Sequence, residues 1–83
     1  MAKEQIFEAL KEVLSVRLRV QEDLIKPEAT LAEDLGLDSI DMMTAVMAIE
    51  EKFGIEVSDS EVETIVTLND AVELLAAKAP AGV

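Results

Sequence analysis

Residues 35–41 read LGLDSID and lead into a long apolar segment that stops at Gly54. Asp38 is of a residue type preferred at the N-cap of a helix, and Asp41 places a second carboxylate where the helix dipole favours negative charge. Glycine is typical of the position just after a helix. The stretch therefore predicts a helix that begins at Asp38 or Ser39 and carries one serine at its start.

Helical spacing also recurs before and after this stretch. A first helix is predicted from about Lys3 to Leu18, because apolar residues recur there every three or four positions. A short helical turn is predicted after Ser58 or Asp59, and Thr67-x-x-Asp70 fits a capping box that opens a last helix. The apolar positions are Ile6, Leu10, Val13, Leu14 and Leu18 in the first helix, Val62 in the short one, and Val72, Leu75, Ala76 and Ala79 in the last.

Residues 19–37 form a long connection, and structureless loops of that length are uncommon in compact domains. Four apolar residues are expected to hold this connection against the helices: Leu24, Ile25, Leu31 and Leu35. Residues 55–57 alternate like a strand but have no partner segment to pair with. The sequence therefore predicts an all-α fold, a small four-helix bundle of three main helices plus one short helix. It is expected to be a single domain over residues 1–83, with a frayed tail at about 80–83.

Composition excludes several classes of function. The 83 residues contain no cysteine and no histidine, which removes thiolate chemistry and the commonest general base. The net charge of −11 repels nucleic acids and anionic membrane surfaces, so basic proteins are the expected partners. The charged N-terminus does not resemble a signal peptide, and no apolar run approaches the roughly 18 residues of a membrane span. A cytoplasmic monomer without membrane insertion is expected.

No metal site is predicted either. The only candidate, Asp34-x-Gly36-x-Asp38, lacks the ligand order of a calcium-binding loop and the glutamate at its end.

The central helix has an unusually wide apolar arc. Met42, Val46, Ile49 and Phe53 share one side, and Ile40, Met43 and Met47 share the adjoining side. Either all seven are core, which the pattern alone favours, or the second group is a patch that faces partners. Met42 lies at the boundary of the arc, and the sequence does not decide whether it is core or exposed.

Charge is segregated in a way that supports a partner-facing helix. Between Asp38 and Glu73 the only base is Lys52, whereas the acids are Asp38, Asp41, Glu50, Glu51, Glu56, Asp59, Glu61, Glu63, Asp70 and Glu73. Such a field steers basic partners, although a small acidic protein also tolerates this bias.

Ser39 is poorly equipped as an enzyme nucleophile. No histidine can take its proton, and the sequence around it is not the G-x-S-x-G elbow of serine hydrolases. As a hydroxyl that another enzyme modifies it is well placed, because a phosphodiester there would meet the positive end of the helix dipole. From the Asp-Ser dipeptide alone, an ordinary helix start remains the simpler interpretation.

Residues 31–75 resemble an acyl carrier protein. Glu33–Asp41 resembles the signature of that family, in which the serine after Gly-x-Asp carries 4′-phosphopantetheine. Ala48–Val57 resembles the end of its second helix, and Thr67–Val72 resembles the start of its last helix.

The resemblance implies that the protein is not an enzyme but a carrier, with Ser39 as its attachment point for 4′-phosphopantetheine from coenzyme A. The implied partners are a phosphopantetheinyl transferase and acyl-transferring, condensing and reducing enzymes with basic patches. The implied partner-binding residues are Asp38, Ile40, Asp41, Met43, Met47, Glu50 and Glu51. Those implied near an acyl-chain cavity are Leu31, Ile49, Val62 and Ile65.

Thr44 departs from the family pattern, which usually has a glutamate at this position of the central helix. The departure raises the hypothesis of a specialised carrier, for polyketide synthesis, lipid modification or additional fatty-acid synthesis, in place of the housekeeping one.

Two alternatives remain open. A peptidyl or aminoacyl carrier domain usually shows Gly-Gly-x-Ser before the helix and is less acidic, so residues 36–39 and the net charge favour an acyl carrier. A small acidic interaction module without a prosthetic group would use the same helix but would not need Ser39.

Overall fold

A computed structural model describes residues 2–78 and places them in four α-helices. These are α1 (Lys3–Val16), α2 (Ser39–Phe53), α3 (Asp59–Glu63) and α4 (Leu68–Lys78), with a 3₁₀ helix at Glu22–Leu24. No strand occurs in the described part of the chain. The all-α bundle of three main helices and one short one is thus confirmed. Ala79 and the predicted tail at 80–83 lie outside the described residues.

α1 is the helix that contacts both other long helices, α2 and α4. Four of its predicted apolar positions, Ile6, Leu10, Val13 and Leu14, are buried. The prediction that it extends to Leu18 is wrong by two residues. The helix ends because the chain turns at Arg19, whose φ of 57° is left-handed, and the N–H of Val20 then donates to the carbonyl of Leu14 at 3.0 Å. Leu18 nevertheless packs against the core.

The long connection is held by backbone hydrogen bonds as well as by apolar contacts. The N–H of Leu31 donates to the carbonyl of Val66, and the N–H of Leu68 donates to the carbonyl of Ala29, at 3.0 and 2.9 Å. These bonds flank an isolated antiparallel bridge between Thr30 and Thr67. The connection before α2 is therefore fastened to the segment that precedes α4.

Three of the four apolar residues predicted to hold the connection, Ile25, Leu31 and Leu35, are buried. The prediction for Leu24 is wrong, since this side chain is 45% exposed. Its position explains the difference, because it lies in the 3₁₀ helix, in which no residue is buried.

α2 begins and ends as the sequence predicts. Asp38 is its N-cap, and Gly54 follows it in the left-handed conformation with φ 66°, which an L side chain would adopt only with strain. Ile49 is fully buried at 0% exposure and Ala45 is also buried. Phe53 is half-buried and packs against the core. No helix in the described range is long and apolar enough to cross a membrane.

Side-chain caps and an ion pair hold α3 and α4. Ser58 caps α3, and the carboxylate of Glu61 accepts the N–H and the hydroxyl of Ser58, both at 3.0 Å. The Nζ of Lys78 lies 2.9 Å from the same carboxylate. The pKa of Glu61 is lowered, first by the backbone hydrogen bond from Ser58 and then by the bond from Lys78. This side chain joins α3 to α4.

The predicted capping box at the start of α4 is present. The carboxylate of Asp70 accepts the N–H groups of Thr67 at 3.0 Å and Val66 at 3.2 Å, and the N–H of Asp70 donates to the hydroxyl of Thr67 at 3.2 Å. These backbone donors favour the charged carboxylate, so the pKa of Asp70 is lowered from its ordinary value.

Two isoleucines on α2 provide a matched test of the core. Ile49→Ala is expected to lower the free energy of unfolding by about 2–5 kcal/mol because it leaves a cavity. Replacement of Ile40, which is 76% exposed, by alanine should lower the free energy of unfolding by less than about 0.5 kcal/mol. Urea denaturation followed by circular dichroism measures both. If Ile49→Ala does not fold, Ile49→Val is expected to cost about 0.5–1.5 kcal/mol. Equal losses at the two positions would contradict this packing.

Asp70 is expected to contribute to the loss of stability in acid. Because its pKa is lowered in the folded chain, its stabilisation is present above the ordinary value of 3.8 and is lost as the pH falls through the folded pKa. Asp70→Asn should lower the melting temperature at about pH 6 and flatten its decline towards about pH 3. Glu63→Gln is the control, since it removes one charge from a side chain without a hydrogen bond in the described residues. Parallel pH curves for Asp70→Asn and the unsubstituted protein would refute the assignment.

Candidate functional site at the start of the second helix

A well-bonded turn delivers the chain to α2. The N–H of Thr30 donates to the carboxylate of Asp34 at 2.9 Å, and the hydroxyl of Thr30 accepts the N–H of Asp34 at 3.1 Å. Gly36 then takes a left-handed φ of 68° between two buried leucines, Leu35 and Leu37. A side chain at this position would strain the backbone, so glycine lets both leucines point into the core.

Asp38 and Asp41 form a reciprocal pair around the helix start. The N–H of Asp41 donates to Oδ1 of Asp38 at 2.8 Å, and the N–H of Asp38 donates to Oδ2 of Asp41 at 3.3 Å. Both carboxylates that flank Ser39 are therefore engaged with the backbone. This arrangement fixes the first turn of α2 and leaves Ser39 without a bonded base.

Ser39 itself is exposed, as the first residue of α2. Its hydroxyl makes no hydrogen bond to any residue in the described range, and neither do the N–H groups of Ser39 and Ile40. An unbonded hydroxyl beside two unbonded N–H groups at the positive end of a helix fits the attachment of a phosphodiester.

The side of α2 beyond Ser39 carries an exposed apolar patch, formed by Ile40, Met43 and Met47. Their side chains are 76%, 40% and 56% exposed. The interpretation in which all seven apolar residues of α2 belong to the core is therefore wrong. The three residues of the patch face solvent. Met42, which the sequence left undecided, is half-buried and packs against the core.

The acids predicted to bind partners differ in their internal contacts. Glu51 is exposed, whereas the half-buried Glu50 accepts the N–H of Val57 at 2.8 Å and so holds the connection after α2. Asp38 and Asp41 have the capping bonds described above. A carboxylate has about four lone-pair sites, so each of these groups keeps capacity for a cation from outside.

Two apolar spaces lie behind Ser39. An open groove of about 540 Å³ runs from Ser39 between α2 and α3, and an inner void of about 30 Å³ lies in the bundle. The four residues predicted near an acyl cavity border these spaces. Val62 lines the groove, Ile49 lines the void, and Leu31 and Ile65 line both.

Leu37 and Met42 also line both spaces and were not predicted. The ambiguous angle of Met42 on the helix was the available signal, because a residue at the edge of a buried face is placed to border a cleft. Leu37 gave no such signal, since its burial depends on the turn at Gly36.

Comparison with known proteins agrees with this geometry. The family described as phosphopantetheine attachment site matches residues 6–75. The acyl carrier protein of Campylobacter hominis is 44% identical over 68 residues, which cover 82% of this chain and 86% of that protein. The acyl carrier protein of Campylobacter lari is 44% identical over 70 residues, covering 84% of this chain and 91% of that protein.

Proteins of this family are carriers, and their prosthetic group is a covalently attached 4′-phosphopantetheine. The fold, the exposed serine at a helix start and the two sequence comparisons lead to the same assignment. The chain belongs to the acyl carrier protein family, with its phosphopantetheine attachment domain spanning most of the sequence.

Proposed function

We propose that Ser39 is the attachment point of 4′-phosphopantetheine and that the exposed side of α2 presents the acyl thioester to partner enzymes. The observation that carries the proposal is the exposed, unbonded hydroxyl of Ser39 between two carboxylates that are occupied in capping. The group supplies a terminal thiol for thioester formation. The residues of this chain hold its phosphodiester, shelter the cargo and dock the partner.

Attachment of 4′-phosphopantetheine needs a base from another protein to take the proton of the Ser39 hydroxyl. The hydroxyl oxygen of Ser39 forms a bond to the β-phosphorus of coenzyme A, adenosine 3′,5′-bisphosphate leaves, and the hydroxyl proton passes to the phosphopantetheinyl transferase. Because no bonded base lies beside Ser39, the hydroxyl is inert until a transferase docks. We infer that this chain catalyses no step by itself. We also propose that it acts in the cytoplasm and as a monomer.

Partner docking combines the apolar patch with the surrounding acids. Ile40, Met43 and Met47 offer an adaptable apolar contact, and Asp38, Asp41, Glu50 and Glu51 offer hydrogen-bond acceptors to Arg and Lys. The acyl-transferring, condensing and reducing enzymes that use the carrier are therefore expected to have basic patches around an apolar contact.

The acyl carrier assignment is favoured over its two alternatives. The relatives reported above are acyl carriers, which supports acyl over aminoacyl cargo. An interaction module without a prosthetic group would not require an unbonded serine with free N–H groups.

Thr44 supports the hypothesis of a specialised carrier. Its hydroxyl donates to the carbonyl of Ile40 at 3.0 Å, so the side chain is turned onto its own helix and adds no charge beside the patch. Partners that require an acid at this place should dock more weakly.

Ser39→Ala tests the attachment point directly. Incubation with coenzyme A and a promiscuous phosphopantetheinyl transferase is expected to add one phosphopantetheine group to the protein and none to Ser39→Ala. Ser60→Ala is the matched control, since Ser60 is also exposed in the first turn of a helix with an acid on each side. Intact mass spectrometry measures the addition. A missing addition on the unsubstituted protein, or one that persists in Ser39→Ala, would end the carrier proposal.

Thr44→Glu tests the specialised-carrier hypothesis. Charging and elongation by core fatty-acid synthase enzymes should be slow with the unsubstituted protein and faster by about two- to fivefold with Thr44→Glu, as one exposed ion pair allows. Thr64→Glu makes the same charge change at a threonine whose hydroxyl also donates to its own helix, at the carbonyl of Glu61. Normal rates with the unsubstituted protein, not improved by Thr44→Glu, would remove the hypothesis.

A further inference from the structure

The groove beside Ser39 and the inner void share one wall. Leu31, Leu37, Met42 and Ile65 line both spaces. The void of about 30 Å³ has room for about two groups of the size of a water molecule, at about 10–15 Å³ each. A chain that fills the groove can therefore reach the centre of the bundle only if a residue of this wall moves.

Met42 is the wall residue best able to move. Leu31 and Leu37 are buried, and their backbones are tied by hydrogen bonds from Leu37 to Leu31 and from Leu31 to Val66, both 3.0 Å. Ile65 is β-branched and stiff at χ1. Met42 is half-buried, unbranched and has three rotatable side-chain bonds, so it changes shape at low cost.

Charge around the groove restricts what the groove can hold. Its described lining includes four acidic residues, Glu33, Asp38, Asp59 and Glu63, and no basic residue, and the lining surface is otherwise mostly apolar. A neutral apolar chain meets no repulsion there. A chain that ends in a carboxylate would bring like charge into a partly desolvated space.

We propose that Met42 is the gate between the groove and the inner void and that it sets the length of the neutral, unbranched acyl chain that the carrier shelters. The proposal rests on the proposed attachment at Ser39. With Met42 in its present position, the sheltered chain ends in the groove. When the side chain rotates or is shortened, the two spaces join and further methylenes enter the bundle.

Reactivity of the thioester reports the sheltered length. The unsubstituted protein and Met42→Ala are loaded from a series of saturated acyl-coenzyme A compounds by a promiscuous phosphopantetheinyl transferase, and intact mass confirms each product. Hydroxylamine then takes the acyl group as a hydroxamate and frees the thiol, at a rate that falls as the cargo is sheltered. Each methylene that enters should lower this rate about fourfold, which is about 0.8 kcal/mol at 1.36 kcal/mol per factor of ten.

In the unsubstituted protein the rate should stop falling at a limiting chain length. Met42→Ala should move that limit to longer chains. For a chain two methylenes beyond the original limit, its rate should be about fifteenfold lower than that of the unsubstituted protein, since each sheltered methylene lowers the rate about fourfold. Met42→Leu, of similar volume but branched, should give a limit no longer than the original. A chain with a terminal carboxylate should react at the unsheltered rate in all three proteins.

The outcomes separate the gate from the attachment point. If both proteins load, and the hydroxylamine rate depends on chain length in the same way in the unsubstituted protein and in Met42→Ala, the gate alone is overturned. Failure to load the unsubstituted protein would overturn the attachment at Ser39 and the gate with it. If Met42→Ala does not fold by circular dichroism, Met42→Val replaces it, and an unchanged limit in that variant counts equally against the gate.

Discussion

The reciprocal bonds between Asp38 and Asp41 are the constraint on which the site depends. They fix where α2 begins and so make Ser39 its first residue, with the N–H groups of Ser39 and Ile40 unbonded to any described residue at the positive end of the helix. The same bonds turn both neighbouring carboxylates towards the backbone. A serine in this position is exposed at the helix start and has no bonded base on the described part of its own chain.

α2 contributes one face to the core and another to the exposed surface, because the domain is small. Ile49 and Ala45 face a core to which α1 and α4 contribute, while Ile40, Met43 and Met47 remain exposed along the same helix. An exposed apolar patch lowers solubility unless charged residues surround it, and acidic residues surround this patch. The acids around the patch therefore offset the cost in solubility of leaving its three apolar side chains exposed.

The long connection before α2 completes the site. Its backbone is paired with the segment before α4, around the bridge between Thr30 and Thr67, and this pairing places Leu31 in the wall beside Ser39. Glu50 fastens the next connection through the N–H of Val57. The groove between α2 and α3 is thus bounded by the connection before α2 and by Ile65 and Val66, and the hydrogen bond from Leu31 to Val66 holds these two segments together.

Local sequence determined the helices, their caps and the position of Ser39, because capping boxes and left-handed glycines act within a few residues of chain. It also contained the exposed patch, although periodicity alone favoured burial of all seven apolar residues of α2. Only the tertiary structure decided that α1 stops at Val16, that Leu24 is exposed and that Leu37 and Met42 border both apolar spaces. The end of α1 depends on the left-handed turn at Arg19, a conformation that is uncommon for a residue other than glycine and that its sequence does not signal. The lining of the two spaces depends on contacts between segments far apart in the chain, and such contacts leave no periodic signal in the sequence of either segment.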